Sequence, residues 1–244
     1  DGEPPQRRGV REARYIAGLY RLWQALCGAH PGLWIDNCCS GGRRLDYRLG
    51  AYGMPLWASD SQCHESVTAE QVLQQGAGLA QWLPHFGFGT QNPDGGDTAN
   101  FRCSMNAALA VHLHSTENHP ARDSHYPDGW LAARLAEYRR FRHYATADYY
   151  LPEGLDWGDT GWIVQQYDRP GEGGAVRIFR RPGSPYAMAV ILFEGLVAEQ
   201  EYEWEDGDAG TSGRASGVLL STTGLEIAMP EPGECRLIFY RTVN

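Results

Sequence analysis

The sequence predicts a parallel α/β region followed by an antiparallel β region. Two rhythms carry that prediction. Up to about Tyr150, short apolar runs ending in polar or glycine-rich loops alternate with stretches of helical period, and beyond it short runs are separated by turn dipeptides. Spacing is the third observation. The strand ends expected at Cys38, Asp60 and Phe86 lie 22 and 26 residues apart, about one right-handed βα unit.

The elements follow in order. From Val10 to Cys27 the apolar residues Tyr15, Ile16, Leu19, Leu22, Trp23 and Leu26 recur at the helical period, and Pro31-Gly32 ends the run. Leu33-Trp34-Ile35 reads as a strand that stops at Asp36-Asn37, followed by Ser40-Gly41-Gly42 and a helix from Arg43 to Tyr52. Met54 to Trp57 reads as a second strand leading into Ser59-Asp60, after which Ser66 or Thr68 caps a helix to about Leu79. A third unit opens at Trp82 to Phe86, near His85, and runs into a loop of Gly, Asn and Asp through Asp97. The fourth is expected in Phe101 to His114, closed by a helix from Trp130 to Tyr144. A domain boundary is expected at Leu151-Pro152, giving regions 1–150 and 151–244. Strands are then expected at Gly161 to Tyr167, Ala175 to Arg180, Met188 to Phe193, Glu201 to Glu205, Val218 to Leu220 and Cys235 to Tyr240, with turns such as Pro170-Gly171 and Asp206-Gly207 between them.

Composition narrows the chemistry. The chain has 244 residues, 42% hydrophobic and 21% charged, enough to bury a sizeable core. All 21 basic residues are arginine, so Schiff-base chemistry, covalent pyridoxal phosphate binding and the P-loop lysine are excluded. A net charge of -9 argues against nucleic acid or an anionic membrane as partner, and no apolar run approaches a membrane span. The six cysteines lack a framework spacing, which favours reduced thiols and a cytoplasmic setting. Cys38, Cys39, Cys63 and His64 fit no common zinc spacing, so no metal or cofactor is expected. His112 and His114 alternate as on a strand and read as structural.

Function in parallel α/β folds collects at the carboxyl ends of strands, here Asp36, Asn37 and Cys38, then Ser59 and Asp60. Carboxylates on neighbouring strand ends, with Trp57 close by, suit acid/base work on a glycosidic bond. The stretch LWIDNCCSGGRRLDYRLGAYGMPLWASD from Leu33 to Asp60 resembles the signature of glycoside hydrolase family 36 α-galactosidases: a Cys-x-x-Gly-Gly-x-Arg-x-Asp motif, here Cys38, Gly41, Gly42, Arg44 and Asp46, then Trp-x-Ser-Asp, here Trp57, Ser59 and Asp60.

The resemblance implies the C-terminal half of a (β/α)8 barrel followed by an antiparallel β-sandwich. It implies a retaining glycosidase acting on terminal α-D-galactosyl residues of melibiose- or raffinose-type sugars. Asp60 would be the general acid/base, and Cys38, Gly41, Gly42, Arg44 and Trp57 would bind the substrate, Cys38 and Gly41 contacting the sugar's 2-hydroxyl and Trp57 shaping the galactose pocket. The family's nucleophile lies in a motif like Arg-x-Asp-Phe-Asn upstream of the first helix, and this sequence has no such motif. The expectation is therefore a portion without its nucleophile, inactive in isolation, associating through open sheet edges and an exposed inner face into a homo-oligomer. Alternatives left open are α-N-acetylgalactosaminidase activity, galactosyl transfer, and a non-catalytic sugar-binding module.

Overall fold

The computed structural model describes residues 4–63, 67–83, 86–90, 96–105, 108–113, 127–153 and 158–243. Ser66, His64, His85 and His114 lie outside them, as do the side chains of Cys63 and His112. The first helix, α1 (Val10–Ala29), begins after Gly9 in a left-handed conformation. A short α2 (Tyr47–Gly50) follows, capped by Asp46, whose side chain accepts from the Leu49 N–H. This cap is why the helix expected from Arg43 is shorter: the chain becomes helical only after Asp46. The next helix, α3 (Ala69–Ala80), opens on a full capping box between Thr68 and Gln71.

The first two expected strands shrink to one parallel bridge, Asp36↔Met54. Proline explains the limit. Pro55 has no N–H to continue the ladder, and the Leu56 N–H is taken by the Asp36 carboxylate at 3.1 Å. The segments nevertheless lie side by side: Asn37 N donates to Met54 O at 2.9 Å and Gly87 N donates to Pro55 O at 2.8 Å. Gly87 belongs to β1 (Phe86–Thr90), which pairs in parallel with β2 (Ala108–Leu113). Between them runs α4 (Thr98–Ser104), capped by Asp97. Phe101 is thus helical, not the start of a strand; a short apolar run does not reveal its period. The next helix, α5, spans Trp130–Phe141.

The remaining chain is mostly antiparallel sheet. Seven strands, β3 (Asp148–Tyr150), β4 (Trp162–Arg169), β5 (Gly173–Arg180), β6 (Met188–Ile191), β7 (Glu201–Asp206), β8 (Thr211–Ser216) and β9 (Leu225–Ala228), precede the last, β10 (Cys235–Thr242). Six of these eight form one sheet in the order β3-β4-β5-β10-β7-β8, and β6 pairs with β9. The sheet begins at β3, slightly upstream of the expected boundary, and β8 and β9 were not expected. The Val218 to Leu220 run lies in a helix, α6 (Gly217–Thr222), where Gly217 and Leu220 face inward.

Both faces of the six-stranded sheet are covered, so β4 and β5 are buried along nearly their whole length. On one face Val164, Val176, Ile178 and Ile238 pack with Phe193, Leu220, Ile227 and Met229, closing a sandwich with the β6-β9 pair. The other face presents Tyr167, Ala175, Leu237 and Phe239 to Phe86, Phe101, Phe141 and Tyr144. Each fully buried aliphatic or aromatic side chain contributes roughly 1.5–3 kcal/mol. The second layer of contacts fastens the parallel region to the sheet.

Candidate active site

The predicted site residues stand on two loops that follow the bridged segments 35–37 and 54–56. The first loop is bent by four successive positive φ angles: Cys39 at 147°, Ser40 at 49°, Gly41 at 66° and Gly42 at 81°. Glycine adopts this region freely, whereas Cys39 and Ser40 hold it at a cost of about 1–3 kcal/mol each. The bend lays the glycine pair on the second loop. A Cβ on Gly41 would collide with the Asp60 backbone nitrogen and come within 3.1 Å of Asp60 Cγ, and one on Gly42 would meet Ala58 O at 2.6 Å. The two sequence motifs are therefore in backbone contact, with the Asp60 side chain exposed at the junction.

Both loops are braced. Asn37, only 1% exposed, donates through Nδ2 to Arg44 O at 2.7 Å, tying the strand end to the far side of the glycine bend. The Arg44 guanidinium donates to Tyr15 Oη on α1 at 2.9 Å. Asp60 opens a 3-10 turn, Asp60–Cys63. At its start the Ser61 hydroxyl pairs with that of the preceding Ser59 at 2.7 Å, and Gln75 of α3 donates to Ser61 Oγ at 3.1 Å. The acid/base candidate is thus held from the helix behind it.

Cys38 and Trp57 are half-buried on the same two loops. The other nearby carboxylates are engaged in structure: Asp36 accepts from Leu56 N, and Asp46 caps α2 while accepting from Tyr20 Oη at 3.3 Å. Among the described residues no group of three or more His, Cys, Asp or Glu side chains is arranged to hold a metal ion. Sequence reading missed the bracing. Tyr15 counted as an apolar helix position, yet it is 55% exposed and receives Arg44, and Gln75 carried no signal beyond its place in a helix.

Residues 3–84, which contain both loops, match the melibiase family. Over part or most of its length the chain is similar to proteins named α-galactosidases. It is 36% identical over 77 residues to alpha-galactosidase 1 of Pediococcus pentosaceus, covering 32% of this chain and 10% of that protein. It is 26% identical over 256 residues to the probable alpha-galactosidase C of Aspergillus terreus, covering 96% of this chain and 32% of the other. Its fold resembles that of the family 36 α-galactosidase AgaA of Geobacillus stearothermophilus, solved with raffinose, at a TM-score of 0.70 and 16% identity, over 100% of this chain and 33% of AgaA. The galactosidase domain of the α-galactosidase-sucrose kinase AgaSK gives a TM-score of 0.72 at 15% identity, over 94% of this chain and 31% of that one. The chain spans between a tenth and a third of the length of these relatives. No helix among the described residues is long and apolar enough to cross a membrane.

Proposed function

We propose that this chain carries the acid/base side of a retaining α-galactosidase site, for terminal α-D-galactosyl residues of melibiose- or raffinose-type sugars. The observation that carries the reading is the packing of Gly41 on Asp60, which joins the sugar-gripping motif to the proton donor. Protonated Asp60 would give its proton to the leaving glycosidic oxygen, and its carboxylate would then activate water for the second step. Cys38 and the Gly41 backbone would hold the 2-hydroxyl, whose hydrogen bonds strengthen as positive charge develops at the anomeric carbon. Gly42 lets the bend close on Ala58, Arg44 braces it against α1, and Trp57 would line the pocket.

We further read the laterally linked segments 35–37, 54–56, β1 and β2 as part of a (β/α)8 wall. The regions 1–150 and 151–244 would be barrel and sandwich domains. The sequence lacks the nucleophile motif, so the purified chain is expected to leave an aryl α-galactoside intact. Fused to the nucleophile-bearing part of AgaA, it should hydrolyse that substrate, and Asp60→Asn should lower kcat by about 10²–10⁴-fold. A fusion whose activity is indifferent to Asp60→Asn would refute the assignment.

A further inference from the structure

Cys103 and Cys235 take no part in the proposed site. They lie at the junction of α4 with β10, packed together with Leu73, Ile163 and Phe179. Cys103 is 0% exposed and Cys235 6%, and the two thiols share one buried cluster and influence each other's ionisation. The backbone beside them is fixed, because Arg102 Nη1 donates to Cys235 O at 2.6 Å. Cys235 also lines a cavity of about 620 Å³ together with Trp130, Arg134 and Glu234.

We propose that Cys103 and Cys235 form a site of reversible disulfide formation that clasps the parallel region to the sheet. With glutathione disulfide as oxidant, the Cys235 thiolate attacks one glutathione sulfur. A Cys235–glutathione bond forms, and the expelled glutathione thiolate takes up the proton that Cys235 gave up. The Cys103 thiolate then attacks Cys235 Sγ, the Sγ–Sγ bond forms, and the second glutathione leaves with the Cys103 proton. Two electrons pass from the protein thiols to the glutathione disulfide. Burial pushes the Cys103 thiol well up, while the nearby Arg177 charge opposes that shift; Cys235, the more exposed of the two, therefore attacks first.

The test is peptide mapping of the full purified chain after exposure to glutathione disulfide. The expected product is a Cys103–Cys235 linked pair, lost on reduction with dithiothreitol, in a chain whose thermal midpoint is higher by about 5–15 °C than the reduced form. In Cys103→Ser, Cys235 should keep one glutathione. Recovery of both cysteines as free thiols after Cys38 and Cys39 have reacted would overturn the proposal. So would linkage of either residue to another cysteine, or an oxidised chain that melts no higher than the reduced one.

Discussion

The glycine bend and the six-stranded sheet solve the same problem, holding a backbone in place, by opposite means. In the sheet, β4 and β5 are paired on both sides by antiparallel ladders and buried on both faces. The bend has one bridge, a run of positive φ and a few side-chain braces, with Asp60 left exposed. A substitution in the sheet or its junction should therefore act on stability, whereas one in the bend should act on the geometry around Asp60. Local stability differs across a molecule in this way where part of it must meet a ligand.

The largest expected effect is at the junction that ties the two regions together. Arg102, 4% exposed, makes paired contacts with Glu137 of α5 at 2.8 and 2.7 Å and with Asp208 at 2.7 and 3.0 Å, besides its bond to Cys235 O. Arg102→Ala would leave a largely buried Glu137 with Arg134, 3.4 Å away, as its remaining ion partner, and the Cys235 carbonyl without this donor. The expected loss is ~3–5 kcal/mol in urea unfolding, toward the lower end because the Asp208 side chain is 33% exposed and can rehydrate. A loss below ~1 kcal/mol would mean that the junction is not held by this cluster.

The bend gives the converse result. Gly41→Ala must move the backbone of Asp60, since the new methyl has no room, and φ of 66° is unfavourable for alanine. In the AgaA fusion it should cut turnover at least 10-fold while costing about 1–2 kcal/mol in stability. Equal turnover would separate the glycine bend from the chemistry. A smaller effect, about 1 kcal/mol of stability and little change in turnover, is expected from Thr68→Ala, which removes one half of the α3 capping box and is measured by the same urea titration.

How much of this was legible follows the same division. The α3 cap and the β4, β5, β7 and β10 strands could be read because period and turn dipeptides act locally, and Thr68 was among the named caps. The strands expected at Leu33 and Met54 were over-read, because an apolar run says nothing about whether a partner's N–H is available, and Pro55 removes one. Val218 to Leu220 was misread because three apolar residues fit a strand or one turn of helix equally well. Cys38, Ser59 and Asp60 were singled out at expected strand ends, and the resemblance joined them with Gly41, Gly42, Arg44 and Trp57 into two motifs whose roles stay a proposal. What brings them together was not: the Asn37 to Arg44 brace and the positive φ at Cys39 and Ser40 depend on backbone geometry that no residue pattern encodes.

The smallest effect sharpens the comparison from inside the sheet, at a carboxyl that packing rather than catalysis perturbs. Asp168 on β4 is 3% exposed and accepts from Tyr240 Oη at 2.7 Å. Burial raises its pKa, the Tyr240 hydrogen bond opposes that, and Asp148, its cross-strand neighbour on β3, adds to the rise. A carboxyl whose native pKa lies above the unfolded value of about 4 binds its proton more tightly when folded. Its stabilising contribution is then complete below about pH 4 and is lost as pH climbs through the native value. Asp168→Asn cannot titrate, and its amide oxygen can still accept from Tyr240. The stability of the native chain minus that of the variant should therefore fall as pH is raised from 3 toward 7, by under about 1 kcal/mol in urea titrations at the two ends. A difference that rises with pH would mean that the Tyr240 hydrogen bond outweighs burial at Asp168.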